Sequence, residues 1–451
     1  HIAGEVTSKQ TGQGSIAFSI EDSAEEQNLT IRNLSKIGSI QIQKQGEVLV
    51  TTNKQEENLE FEYQMQNLPD AGFEIYANEA IEHPDGHTGL IFAEGMKIAQ
   101  GITTQEGLII TKVSKEVEEI YIPQVQFLLA RGLPLGEYRI VEIKAPQGYY
   151  RNPEECEGFV LLQDNQTNQQ IQAEIVFENI RQTVRVKVHK YDTETADSIE
   201  GVKLGLYTES DIIENERIIV PKGTLVQQQV TDKEGIAILE GKIPLGNYYV
   251  QEIQVASGYK QTDEQIQIQA ETLEENRRLI EANIEFANQK TKIQVIKTTQ
   301  EGQAVIGAKL QVVDNKHVVI DSWTTNGNPH EIKGLETEKV YTLQEIEPAK
   351  SFVTAQDISF QLSKEGIIQQ TEQLYAENII QMKDDYTKVQ ISVIDKKTQE
   401  PISGITIQII DKKTDKVILE YVTTEKPQMI VGLPIGEYDI IQTEIPKDKG
   451  Y

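Results

Sequence analysis

The chain has 451 residues, 38% hydrophobic and 25% charged, with 71 acidic against 43 basic side chains and a formal net charge of −28. That is the composition of a folded chain of several domains, and its negative field, with Lys and Arg scattered, excludes a nucleic-acid partner. No run of 18 or more apolar residues offers a membrane span, no basic and apolar leader opens the sequence, and the single cysteine, Cys156, excludes an internal disulfide.

Residues 1–34 alternate apolar and polar and finish on Leu29-Thr-Ile-Arg-Asn33, which reads as the closing strand of a domain without its opening part. A long first domain, residues 35–181, then opens on Ile40-Gln-Ile-Gln-Lys44. Leu68-Pro-Asp-Ala-Gly72 lacks the apolar segment and basic tail of a wall-sorting signal and reads as a turn into a strand. Extra loops interrupt the domain between Asp70 and Glu119. Among them His83-Pro-Asp-Gly-His87 is a polar loop rather than a metal site. The domain continues with Gly132-Leu-Pro-Leu-Gly-Glu-Tyr138 and the turn Ala145-Pro-Gln-Gly-Tyr149, and closes on Ile175-Val-Phe-Glu-Asn179. Cys156, with no His near it in sequence, reads as a plain thiol.

The same order of segments recurs. Residues 182–289 open on Val186-Lys-Val-His-Lys190, repeat the box as Lys242-Ile-Pro-Leu-Gly-Asn-Tyr248, turn at Val255-Ala-Ser-Gly-Tyr259 and close on Ile284-Glu-Phe-Ala-Asn288. The stretch from Glu271 to Glu281 fits either a short helix or a loop. Residues 290–386 open on Ile293-Gln-Val-Ile-Lys297, carry a decayed box, Gly334-Leu-Glu-Thr-Glu-Lys-Val-Tyr341, and close on Ile380-Gln-Met-Lys-Asp384. Residues 387–451 supply only an opening part, with Val389-Gln-Ile-Ser-Val393, Gly432-Leu-Pro-Ile-Gly-Glu-Tyr438 and the turn Pro446-Lys-Asp-Lys-Gly-Tyr451. Placed before residues 1–34 of another repeat or another copy, they complete one domain. The tyrosine spacing agrees: Tyr248 and Tyr341 are 93 residues apart, Tyr341 and Tyr438 97. Period-2 segments with turns between them predict an all-β fold of tandem immunoglobulin-like sandwiches, and short linkers predict an elongated rod.

Side chains alternate along a strand. Lys44 therefore shares a face with Ile40 and Ile42, Lys190 with Val186 and Val188, and Lys297 with Ile293 and Val295. By the same rule Glu142, Glu252 and Glu345 lie on the apolar face of the Tyr strands, and Asn179, Asn288 and Asp384 on that of the closing strands. Each of three domains thus places a Lys, a Glu and an Asn or Asp on its core side. Unpaired, such charges are costly to bury. Burial drives the lysine toward a neutral, nucleophilic amine and the carboxyl toward its acid. Held together, the groups gain the effective concentration that amide exchange requires. The product is an intramolecular Lys–Asn or Lys–Asp amide, formed once and without turnover.

These residues also carry a resemblance. The opening Lys, the Leu-Pro-Leu-Gly-Glu-Tyr box followed by Glu and Ala-Pro-Gln-Gly-Tyr, and the closing Val-Phe-Glu-Asn resemble the Cna B-type and SpaA-type domains of Gram-positive pilins and adhesins, over essentially the whole chain. The resemblance implies isopeptide bonds Lys44–Asn179 and Lys190–Asn288, with Glu142 and Glu252 as proton shuttles. The third domain is similar to the streptococcal adhesin domain behind the tag-and-catcher ligation systems, which implies Lys297–Asp384 with Glu345; Asn378, read on the same face, is the second choice of partner. The fourth domain departs from the pattern: Val393 stands for Lys and Gln442 for Glu, while Lys396 and Lys397 fall in a turn. The expectation is a structural subunit of an extracellular, cell-surface fibre, not an enzyme, without cofactor or metal. Its partners would be copies of itself head to tail or tandem repeats in one chain. The alternative is an adhesin in which residues 35–181 bind a host or environmental ligand.

Overall fold

The computed structural model describes residues 35–103, 108–112, 127–164, 171–272, 274–369 and 374–445. Residues 1–34 and 446–451, with the expected closing strand Leu29–Asn33 and the last turn, lie outside the described residues, as do residues 104–107 and 113–126, which hold part of the expected extra loops.

No helix occurs among the described residues. Four sets of paired sheets follow one another along the chain, and the alternation seen in the sequence becomes alternation of burial. In the first sandwich the opening strand Ile37–Gln55 lies between Phe127–Pro134 and the closing strand Ile171–Arg181, to which it is parallel. The facing sheet centres on Gly136–Lys144, flanked by Gly72–Ala77 and Glu157–Leu162. Ile40, Ile42, Phe73, Tyr138, Ile140 and Phe177 meet in its core.

The plan repeats. In the second sandwich the opening strand Thr183–Asp192 sits between Ile236–Pro244 and the closing strand Leu279–Asn288. Its facing sheet runs Leu225–Val230, Lys203–Thr208, Gly246–Gln254, Ile266–Ala270. In the third, Lys292–Thr299 lies between His330–Lys333 and the parallel closing strand Ile379–Asp384, facing a sheet that includes Ile306–Asp314, Val340–Glu347 and Ile358–Leu362. In the fourth, Lys388–Ile391 pairs with Gln428–Val431, and Thr406–Asp411 lies between Lys416–Val422 and Tyr438–Glu444. By contacts the chain forms two compact units: the first sandwich with residues 271–280, and the other three with residues 52–61.

The repeated Leu-Pro-x-Gly-x-Tyr box has a local cause. Tyr138 Oη donates to the Pro134 carbonyl and Tyr248 Oη to that of Pro244, each at 2.6 Å, and Tyr438 does the same to Pro434. The bond ties the start of the strand to the turn before it. Gly136 and Gly246 take φ of 153° and 159°, in the range that favours glycine, and let the turn close. The third copy has lost the proline, and there Tyr341 Oη instead accepts from the Glu336 amide at 2.9 Å.

Within the stretch 271–281, which fits either helix or loop by sequence, residues 274–278 form a turn leading into the strand that starts at Leu279. Gln182, buried, fixes this turn by donating to the carbonyls of Glu274 at 2.9 Å and Arg277 at 2.6 Å.

Candidate functional site: three buried clusters of lysine, carboxyl and amide

The opening strands of the first three sandwiches each deliver a lysine to the core. Lys44 and Lys190 are fully buried and Lys297 nearly so, among the valines and isoleucines of the same face. In the parallel ladders Lys44 stands opposite Phe177 and Lys297 opposite Met382, so the Asn or Asp two residues further on lies one step along the same face. Gly46 makes this approach possible in the first sandwich. A Cβ there would meet Leu68 Cδ1 at 2.4 Å and the Asn179 carbonyl at 2.8 Å.

In the first cluster Glu142 joins the other two groups. Lys44 Nζ donates to it at 3.0 Å, and Asn179 Nδ2 donates to Oε1 at 2.9 Å. Burial lowers the Lys44 ammonium from its ordinary value, and the facing Glu142 opposes this only in part. Burial likewise raises the Glu142 carboxyl. Both shifts favour the neutral pair over the ion pair.

The second cluster is a closed triangle. Lys190 Nζ donates to Asn288 Oδ1 at 2.8 Å and lies 2.8 Å from Glu252 Oε1, and Asn288 Nδ2 donates to that same Oε1 at 2.6 Å. The ring of Phe286 covers the amine, its centroid 3.3 Å from Nζ. Burial pushes the Lys190 ammonium down to about 8. Glu252 is positioned by the Thr262 amide, which donates to Oε2 at 3.1 Å.

In the third cluster Lys297 Nζ donates to Asp384 Oδ1 and lies 3.1 Å from Glu345 Oε1. The Ala355 amide holds Glu345 Oε2 at 2.6 Å. Burial pushes the Asp384 carboxyl up to about 6 against the opposing pull of Lys297. Asn378, the second choice of partner, is placed elsewhere. It has a positive φ of 58° in the turn before the closing strand, its amide donates to the Lys292 and Gly366 carbonyls, and its Oδ1 accepts from the Ile368 amide. Residues in a turn do not keep the period-2 facing of a strand, which is why Asn378 does not share the face read for it from the sequence.

The fourth sandwich has no such cluster among its described residues. Val393 packs against Ile402, Ile405 and Ile407, and Lys397 lies in an exposed turn capped by Asp395. The other motifs are structural. Asp85 accepts from the His87 and Thr88 amides in a tight turn, and no group of His, Cys, Asp and Glu among the described residues could hold a metal ion. Part of the insertion, the short strands Ile81–Glu82 and Leu90–Phe92, buries Ile81 and Phe92 in the first core. Leu68 is buried too, its amide on the Lys44 carbonyl. Cys156 is buried with Sγ 3.3 Å from the Pro153 carbonyl.

Sequence reasoning passed over the linker residues. Thr291 and Thr387 precede the third and fourth opening strands. Thr291 Oγ1 donates to the Leu335 carbonyl and lies 3.3 Å from that of Gly258, and Thr387 Oγ1 stands likewise to Leu433 and Ser351. A polar residue at one place in each linker was the available signal.

These features define a class: tandem β-sandwiches, three of which bury a lysine, a glutamate and an amide or acid between their first and last strands. The chain belongs to the SpaA family of prealbumin-like fold domains, whose sequence model matches residues 50–175, 184–285 and 291–374. None of the curated proteins matches. Among solved structures, the Bacillus anthracis TIE protein is 16% identical, with 92% of this chain and 71% of that one covered and a TM-score of 0.35. A Streptococcal ancillary pilin is 14% identical, with 77% and 99% covered and a TM-score of 0.24. The shaft pilin SpaA of Lactobacillus rhamnosus GG is 14% identical, with 56% and 98% covered and a TM-score of 0.20.

Proposed function

We propose that this chain is a load-bearing segment of an extracellular surface fibre, a pilus shaft or adhesin stalk, whose first three sandwiches lock themselves with the isopeptide bonds Lys44–Asn179, Lys190–Asn288 and Lys297–Asp384. The sandwiches are domains with boundaries near 35–181, 182–289 and 290–386. The observation that carries the reading is the contact of Lys190 Nζ with both Asn288 Oδ1 and Glu252 Oε1 inside a closed core. An ion pair sealed from water costs several kcal/mol per ion unless fully compensated. Converting it to an amide removes both charges.

The chemistry follows from the positions. A proton passes from Lys190 to Glu252, leaving an amine and a carboxylic acid. The amine attacks the Asn288 carboxamide carbon, forming the N–C bond. Glu252, in contact with Nδ2, takes the surplus proton from the attacking nitrogen and gives its own to the departing one, so the C–N bond breaks and ammonia leaves. Asp384 releases water in place of ammonia. Each event happens once per domain, so the chain is its own substrate and not a turnover enzyme.

The topology gives the bond a mechanical use. Where first and last strands are parallel neighbours, as in the first and third sandwiches, the chain enters and leaves at opposite ends. Tension along a fibre would shear that strand pair. A covalent link between the two strands carries the force directly and relieves the rest of the fold. With one cysteine in the sequence, no disulfide within the chain could do this.

Intact mass under denaturing conditions tests the reading. The expected mass is lower than the sequence mass by two ammonias and one water, and the three cross-linked peptide pairs appear after digestion. A mass equal to that of the sequence overturns it.

A further inference from the structure

We infer that a groove beside the second sandwich binds a neutral oligosaccharide. The inference does not depend on the isopeptide bonds.

The long strand Ile37–Gln55 runs on into a tight turn at Glu56, where φ is 56°, and returns as Asn58–Asn67. The tip of this hairpin, residues 52–61, belongs to the same compact unit as the second sandwich. It lies along the edge strand Leu225–Val230. The Gln228 amide donates to Asn58 Oδ1 at 2.9 Å, and Gln227 Nε2 donates to the Leu59 carbonyl at 3.1 Å. Lys203 Nζ lies 3.7 Å from Glu57 Oε2. Each of these contacts uses a side chain, and the tip is not a strand of that sheet. Without the ladder that would draw two strands to about 5 Å apart, a groove of about 540 Å³ stays open between tip and sandwich. That is the size of a small-ligand site.

The sandwich side of the groove combines the edges of both sheets. Gln227 comes from Leu225–Val230, and Gly241 and Lys242 come from Ile236–Pro244. Gly241, at φ 140°, leaves room for the amide that holds the tip: a Cβ there would stand 3.0 Å from Gln227 Nε2.

The lining selects the ligand. Leu59 and Phe61 give it an apolar strip, and Asn58 and Gln227 bring amides, which donate and accept. Glu56 and Glu60 are exposed acceptors on the same wall. A sugar matches this mixture. Its hydroxyls donate and accept at once, and the C–H face of its ring packs on an apolar strip. The two carboxylates outnumber Lys242 and oppose a sialylated or sulfated glycan. An apolar ligand would strip water from the polar walls without replacing its hydrogen bonds.

A glycan array of neutral, sialylated and sulfated oligosaccharides, read with the labelled full-length chain, tests the inference. Binding is expected to the neutral set and not to acidic forms of the same sugars. Calorimetry with the best neutral oligosaccharide on the array is expected to show affinity about tenfold weaker for Glu60→Ala, the loss of one hydrogen bond to a charged group. Glu301→Ala, on the third sandwich, is expected to bind as the unaltered chain does. Glu60 is exposed, so an unchanged melting curve is expected for its variant. Glu56→Lys with Glu60→Lys is expected to lose the bias against sialylated forms. A chain that binds no neutral oligosaccharide, or binds one equally well with both glutamates reversed, overturns the inference. A preference for a tetralysine peptide over every sugar overturns the class of ligand.

Discussion

Lys190 and Asn288 are 98 residues apart in the chain, and Lys190 Nζ touches Asn288 Oδ1 at 2.8 Å beneath the ring of Phe286. The first strand thus meets the last at a buried point, and Glu252 is in contact with both groups.

Glu252→Gln keeps the shape of that triangle and removes its acid. Bond formation in the second sandwich is expected to slow by at least about 100-fold. The variant's intact mass should show one ammonia fewer lost than the wild type, and peptide mapping should find residues 190 and 288 unlinked while the other two links are present. A normal Lys190–Asn288 cross-link in this variant would mean that another group moves the proton.

Asp384→Asn gives a sharper test of the third cluster. By the proposed reaction the wild type would expel water and the variant ammonia, and both would end in the same amide. The two proteins should therefore converge on one final mass although their sequence masses differ. A variant that stays at its own unlinked mass would rule out residue 384 as the bonded partner.

The stability of an unlinked second sandwich should depend on pH in a definite direction. In Asn288→Ala no bond can form and Lys190 remains ionisable. Burial pushes its folded-state value down to about 8 from the ordinary 10.5, so between those values the unfolded chain holds more protons than the folded one. Stability then rises with pH across that window. Melting temperature is expected to climb by roughly 5–10 °C from pH 7.5 to pH 10, whereas the wild-type domain, if its lysine is held in the proposed amide, should stay flat by comparison. A falling or level curve for the variant would contradict a lowered lysine.

Much of this was legible in the sequence because period-2 alternation, repeated three times, reports directly which residues face a core. It placed Lys44, Lys190 and Lys297 on the buried face, together with their glutamates and closing residues, and it set Val393 apart. A buried charge on an apolar face is informative in itself, since it demands a partner. What the tertiary structure decided was everything that depends on which strands are neighbours and on exact reach. It placed Glu142 between Lys44 and Asn179 in the first cluster, made the second a closed triangle under Phe286, and kept Asn378 away from the third. It also set Gln182, Thr291 and Thr387 onto backbone carbonyls at the linkers. Alternation fixes a face, but contacts between residues about a hundred positions apart are set by strand order, register and turns, and these are fixed only when the whole sandwich packs.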